Sequence, residues 1–543
     1  MKIIYLSISL AVLVTFSMEK CLAKTYYLSS KEGNDQNDGL TPSNPWRSLE
    51  KASQIRFEHG DTLLLQKGNL FYGKLVIQGA GTQEQPIVIG SYGEGKRPII
   101  DAAGWLAAIH IRNSRFILVS GLEIMADGGD VFEDPAIKDR YGVFITVDKE
   151  GTFGHLQLEN LYIHHIFSTI QSPANGKNQA SNKGMGVGIY THDEKSFLKT
   201  IRIKQCKIET TGHTGIDIRV YTANKDPLTK QIEDVTITGN ILNHIGGPGI
   251  VPRRCKNVLV RANTVSHTGS SIDARMHGRG SGIWPWGCED VLIEHNRFAH
   301  ARGKADSCGV HIDFNCKNVI VQYNLGMDNA GGFVEILGNN YNCAYRYNIS
   351  INDGFRIKGE DNAQQEGKVL WTSGYVGRGK KKIGPFNSYI YNNTVYASEE
   401  IVSKLSFAST TKGLLVANNI FYLLGKTKNV TGDQDDWVDN IRARINNVVF
   451  TNNVYARAGT LPSSFSFKEE HPIVGDPGFL VPYGHEAHHF VPTNLQLLKD
   501  KSIAIKNLEG DRLGLKDGFA VEKDFFGNPI KGVPDIGAIE IQE

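Results

Sequence analysis

Apolar and polar residues alternate one for one in short runs, and many of these runs end at an asparagine. Five stand out: Val235 to Asn240, Val258 to Asn263, Val291 to Asn296, Val319 to Asn324 and Cys343 to Asn348. Alternation of period two predicts β-strands with one face buried. The asparagines are 23, 33, 28 and 24 residues apart. Related phrases end at Asn393, Asn419 and Asn453, and less regular ones lie near Ile117 to Ile124 and Leu156 to Ile163. No segment between them carries helical spacing. One repeat is therefore two or three short strands with turns.

Self-similarity at this period selects among β architectures. A sandwich has no reason to repeat its sequence, and a propeller blade is longer, at about 40 residues. A solenoid stacks each coil on the previous one and accepts insertions as loops at its turns. The expectation is an all-β, right-handed parallel β-helix over 101–460. Asparagines at equivalent turns are expected to take the left-handed conformation and to hydrogen-bond as a ladder along the axis.

Both ends differ from the repeats, as the ends of a solenoid must, because an uncapped coil exposes strand edges and core. Residues 24–100 carry Tyr26-Tyr27-Leu28, Gly33 to Gly39, Pro45-Trp46-Arg47 and Gly60 to Leu65; residues 461–543 carry Asp476-Pro477-Gly478-Phe479, Asp524 to Asn528 and Pro534 to Glu540. These are expected to be an N-terminal cap with the first coils and a C-terminal capping segment. The phrases closely resemble the entry and exit segments of secreted bacterial β-helix proteins of the pectate-lyase-like superfamily. That resemblance implies a right-handed parallel β-helix and action on a polysaccharide, without choosing a reaction, because function resides in the site and not in the fold.

Composition removes other classes. With 59 Lys+Arg against 57 Asp+Glu the formal net charge is +2, so no global field favours nucleic acid or an acidic membrane. Residues 1–23 read as a cleavable secretory signal, with Lys2, an apolar stretch from Ile3 to Met18 and a small-residue site at Cys21-Leu22-Ala23. A secreted or periplasmic protein is expected; Cys21 lacks a convincing lipobox, which argues against a lipid-anchored form. No other run is long and apolar enough to span a bilayer. A monomer is the expected state. Cys255, Cys288 and Cys316 each precede a valine by three residues, which suggests stacked, buried thiols rather than disulfides or zinc ligands.

Candidate chemistry lies on segments that open with glycine. They begin at Gly142, Gly188, Gly215, Gly249, Gly282, Gly309, Gly331 and Gly354. Aligned on these glycines, one row is apolar and predicted as core: Val143, Ile145, Ile189, Ile216, Ile218, Ile250, Ile283, Val310, Ile312, Val334, Phe355 and Ile357. The opposite row carries Phe144, Thr146, Tyr190, His192, Asp217, Arg219, Val251, Arg253, Trp284, Trp286, His311, Asp313, Phe333, Glu335, Arg356 and Lys358. Rungs of a parallel sheet are about 4.8 Å apart, so this row would form a surface of aromatic rings, histidine and both signs of charge suited to sugars.

In that alignment Asp313, Glu335 and Lys358 share one position on successive rungs, with His311 beside Asp313. Neighbouring carboxylates separate their pKa values, which gives the acid and the ionised partner that glycosidic cleavage requires. Trp284, Trp286 and Phe333 are the expected sugar contacts. Arg253, Arg356 and Lys358 are expected to grip an acidic or sulfated sugar, Arg219 to contact substrate, Asp217 to contact substrate or pair with Arg219 or Arg253, and His277 to wall the pocket together with Arg275, Arg279, Lys304 and Asp306 of the insertions. The leading expectation is a glycoside hydrolase needing no cofactor. Its rival is a polysaccharide lyase in which Lys358 or Arg356 takes a proton while Asp313, Asn315 and Glu335 hold calcium. The sequence around Glu335 is similar to calcium-assisted β-helix alginate and chondroitin lyases, but Gly338-Asn339-Asn340 stands where their catalytic lysine is expected. The remaining readings are an epimerase and a carbohydrate-binding surface protein without catalysis.

Overall fold

The computed structural model describes residues 22–128, 139–168, 183–221, 229–430, 446–465 and 467–542. The leader expected over 1–23 falls almost entirely outside them. Among the described residues, no helix is long and apolar enough to cross a membrane.

The chain is a parallel β-helix. One long sheet runs from Thr25–Leu28 to Asn446–Thr451 and a second from Leu70–Tyr72 to Ile473–Val474, each strand pairing in parallel with its equivalent in the next coil. Strands already begin at Thr25, so the first coils start with the described chain. The third face is interrupted. Seven strands from Arg56–Phe57 to Ile250–Pro252 form its first part and four from Gly332–Ile336 to Thr427–Asn429 its second. Between them, the segments at Gly282 and Gly309 join the stack only through single bridges, Ile250 to Ile283 to Val310 and Ile312 to Ile336. Pro285, with no N–H to donate, sits in this gap.

The core follows from the alternation: Val143, Ile145, Ile189, Ile216, Ile218, Ile250, Ile283, Ile312 and Val334 are all buried in one continuous cluster. The glycine ladder has a steric cause. A methyl on Gly215 would stand 2.7 Å from the Gly249 carbonyl oxygen and 2.7 Å from Leu242 Cδ2, and Gly142, Gly186, Gly249 and Gly282 face the next coil's glycine carbonyl equally closely. The ladder member in the second coil is thus Gly186 and not Gly188; Gly188 lies opposite Phe144.

The asparagine ladder is present. Asn263, Asn296, Asn324, Asn348, Asn393 and Asn419 each take a backbone N–H and a side-chain N–H from the asparagine before, at 2.9–3.1 Å. The left-handed residue, however, is the one preceding each asparagine, such as Ala262, His295, Tyr323 and Tyr347. The expected left-handed conformation therefore belongs to the turn's previous position, and the asparagine amide is left free to run along the axis. Cys255, Cys288 and Cys316 occupy one inward position on successive rungs and are free thiols.

The last residues lie along the outside of the coils. Phe479, Phe490, Leu498, Ile536 and Ala538 pack on Ile349, Ile351, Tyr396 and Ile420 of the second sheet, while Leu508 and Leu515 pack on Tyr389 and Tyr391 of the first. Asp511 accepts from Asn342 at 2.9 Å and also from the Tyr389 hydroxyl.

Candidate active site

The interrupted face carries the chemistry, and its register fixes which side chains are neighbours. One outward column runs Gly188, Asp217, Val251, Trp284, His311, Glu335, Trp371. The adjacent column runs Tyr190, Arg219, Arg253, Trp286, Asp313, Leu337. Glu335 is therefore opposite His311 and not Asp313, a slip of two residues from the glycine alignment. Gly331 and Gly332 produce it. They lie against the backbone of Asp306 to Cys308 and of Lys368, and Cys308, not Gly309, bridges to Gly332.

The Gly354 segment is not a rung at all. The rung beyond Glu335 is the strand Lys368–Thr372, with Glu335 opposite Trp371. Residues 354–367 form an excursion in which Ile357, expected in the core, is 42% exposed. Lys358 is exposed there, its backbone N–H bonded to Glu366. Arg356 is buried, its guanidinium donating to the carbonyls of Gln365 (2.8 Å) and Gly303 (3.1 Å). Neither can act beside Glu335 as the sequence alignment expected.

Three acids gather at the gap. Asp306 enters from the insertion 301–308 and is clasped by Arg279, with Nε at 2.8 Å and Nη2 at 3.0 Å from its two oxygens. Burial raises its pKa, but the Arg279 charge and hydrogen bonds dominate and hold the carboxyl far below the ordinary range. Asp313 stands on the ladder, partly open to solvent, with one oxygen accepting from the Phe314 N–H at 2.8 Å. Burial, with the Asp306 charge behind it, pushes Asp313 up to about 7 against the opposing pull of the Phe314 N–H, Arg253 and Arg279.

Glu335 is 1% exposed; its Oε2 accepts from the Cys308 thiol at 3.2 Å and lies 3.7 Å from His311 Nδ1. Burial and Asp306 push its carboxyl up to about 8. It is too enclosed to meet a sugar, which removes it from the reacting pair expected from sequence. His311 is buried on Ser281 Oγ at 3.0 Å, and burial brings its imidazole down to about 4, so it is neutral.

The aromatic residues are arranged differently from an open platform. Trp284 has its faces occupied, by the Arg253 guanidinium at 5.0 Å and by the parallel His311 ring at 5.8 Å. Trp286, partly exposed beside Asp313, packs edge to face with Phe314, which in turn meets Tyr375. Phe333 is in the core against Tyr345 and cannot contact a sugar. His277 belongs to the loop 269–281, which folds back over two earlier coils so that the His277 N–H reaches the Gly212 carbonyl and its ring meets His213 at 4.6 Å.

On the outer side of this loop is a groove of about 1050 Å³ lined by His277, Arg279, Arg302, Phe355, Arg356 and Glu400, among others. Neither Asp306 nor Asp313 lines it.

The calcium set expected for a lyase does not converge. Glu335 turns to Cys308, and Asn315 Oδ1 accepts from the Asn339 amide at 2.8 Å. Sequence reasoning placed Asp306 and Arg279 only in the pocket wall, and missed Lys368 and Trp371, although Gly367 leads that strand as the other glycines lead theirs and falls on the rung next to Gly331.

No known family profile matches the chain. It is 25% identical, over 95% of its length, to the lacto-N-biosidase of Bifidobacterium longum subsp. longum, and spans about a third (36%) of that protein. A segment covering 12% of the chain is 31% identical to alpha-1,3-galactosidase A of Akkermansia muciniphila. Among solved structures, a GH136 lacto-N-biosidase from Eubacterium ramulus superposes with a TM-score of 0.55 at 22% identity, over 75% of this chain and 67% of that one. The complex of XylC with xylose superposes with a TM-score of 0.54 at 13% identity, over 96% and 98%. Both likenesses show a parallel β-helix fold.

Proposed function

We propose that the protein is a glycoside hydrolase in which Asp313 is the general acid and Asp306 the ionised partner. The observation that carries this reading is the contrast between the two. One partly open carboxyl is driven up to about 7 while its neighbour is held ionised by a two-point arginine clasp. A proton donor for the leaving oxygen and a carboxylate for the anomeric centre or its attacking water are the two groups this reaction requires. The similarity to a lacto-N-biosidase along nearly the whole chain supports an oligosaccharide substrate, and we take that substrate to be acidic or sulfated. Export into the periplasm or medium, in keeping with the leader-like first residues, would bring the enzyme to it.

His311 and Glu335 then act beneath the pair: the neutral imidazole and protonated carboxyl fill the space under the acids without adding charge. The lyase reading loses its base, because Lys358 is off the ladder, and its metal set. Incubation with an oligosaccharide panel should give new reducing ends without ultraviolet-absorbing unsaturated products. Asp313→Asn and Asp306→Asn should each cut turnover about a hundredfold or more. Unsaturated products, or full activity in both variants, would overturn the assignment.

A further inference from the structure

A second charged cluster occupies the same two columns on the far side of the tryptophans. Asp217 is 0% exposed, accepts from the Tyr190 hydroxyl at 2.8 Å, and pairs with Arg219 at 3.0 Å and Arg253 at 3.2 Å. Burial acts to raise its pKa, but the two guanidiniums bring it below the ordinary value, so it is a permanent anion. Arg219 and Arg253 face each other across adjacent rungs. Lys183 leads into the strand Gly184–Thr191, and the His213 backbone N–H donates to the Gly184 carbonyl at 2.7 Å, which holds the two segments side by side. Burial, Arg219 and Arg253 all depress the Lys183 ammonium, a sign of how closely the cations crowd.

The charges do not cancel. Among the described residues the acids that act on Lys183 are Asp217 and Asp139, and burial pushes Asp139 up from its ordinary value. Among the described residues Lys183, Arg219 and Arg253 thus outnumber the two carboxyl groups that face Lys183, Asp217 and Asp139. His213 and His277 are neutral, since burial lowers both imidazoles, and leave this balance unchanged. An excess of positive charge on largely buried side chains is unfavourable until an anion meets it, and planar guanidiniums suit the paired oxygens of carboxylate or sulfate.

The ladder also measures distance. Asp313, Trp286, Arg253 and Arg219 stand on successive rungs, so at about 4.8 Å per rung the two arginines are roughly 10 and 14 Å from the acid. One rung is close to the length of a pyranose ring. We propose that Arg253, Arg219 and Lys183 form a subsite for an anionic substituent, carboxylate or sulfate, on the sugar two or three units from the cleaved bond. This rests on Asp313 marking the point of cleavage and narrows the substrate to chains carrying charge at that distance. Asp217 is the fixed counterion that keeps both guanidiniums aimed.

The test uses full-length Asp313→Asn protein, so that binding is read without turnover, and calorimetric titration with three oligosaccharides that differ only in one group: a hydroxymethyl, a carboxylate or a sulfate ester. Either anionic compound should bind about tenfold or more tightly than the neutral one, and the advantage should shrink with added salt; which of the two is favoured names the substituent. Added Lys183→Gln, which leaves the Asp217 ion pairs in place, and added Arg253→Lys should each reduce the acidic-to-neutral affinity ratio by about tenfold. Equal affinity for all three compounds, or a ratio unmoved by both changes, overturns the subsite. If the anionic compounds bind preferentially while wild-type protein cleaves none of the three, the subsite stands and the hydrolase reading fails.

Discussion

Replacing Arg279 by methionine tests the electrostatic division of labour between the two aspartates. Arg279 meets Asp306 at 2.8 Å, with side-chain exposures of 34% and 20%. Two unit charges about 4 Å apart interact by about 4 kcal/mol at an effective dielectric of 20. With a third of one partner in solvent, about half of that is a fair share, and at 1.36 kcal/mol per unit it corresponds to about 1.5 pH units. Asp306 must be ionised to work, and its native pKa is depressed, so activity appears as pH rises through that value. Removing the guanidinium raises the value, and the ascending limb of kcat/KM against pH should move up by about 1.5 units while the descending limb, set by Asp313, moves far less. Arg279→Lys keeps the charge without the two-point geometry and should give a smaller displacement. An ascending limb that stays in place in the methionine variant, with turnover retained, would refute the claim that this clasp keeps Asp306 ionised.

Wild-type kcat/KM should fall as pH rises through about 7, because Asp313 must hold its proton; a profile flat to pH 9 contradicts that role. Glu335 keeps its proton in the fold to about pH 8, whereas the unfolded chain releases it at its ordinary value, so stability drains away as pH rises between the two. Glu335→Gln should therefore gain stability relative to wild type across that window, measured by denaturant titration at pH 5 and pH 8. Asn324→Ala removes an amide that donates to the Ile293 and Gln322 carbonyls at 2.8 Å and to Asn348 at 3.1 Å, and it orphans the Asn296 N–H. The cost should be about 3 kcal/mol or more, seen as a lower urea midpoint, and a change below 1 kcal/mol would show the ladder to be dispensable. Gly215→Ala should destabilise by about 1–3 kcal/mol, since the new methyl meets the Gly249 carbonyl at 2.7 Å.

The fold was legible because a parallel β-helix writes its period twice, in the alternating apolar residues and in the ladder asparagines. The buried thiols on successive rungs followed from the same spacing. The site was harder to read, since it lies where the period fails. At Gly331-Gly332 the chain packs so closely on Lys368 that the register slips by two, moving Glu335 from Asp313 to His311. At Gly354 a strand-like phrase is an excursion, because the rung it would occupy is filled by Lys368–Thr372. Arg356, Lys358 and Phe333 were lost to these two events. Asp306 and Arg279 come from insertions, whose mutual approach no periodic pattern encodes.

The final strap changes how the molecule should come apart. A stacked array in which each repeat meets only its neighbours can fray coil by coil from an open end. Here Asp511 is bonded to Asn342 and Tyr389, and Asp535 offers its carbonyl to Asn392. Residues more than a hundred positions apart are lashed together across the later turns. Loosening any of those turns requires the strap to peel away first, which couples them into one cooperative block and leaves the N-terminal coils as the place where unwinding can begin.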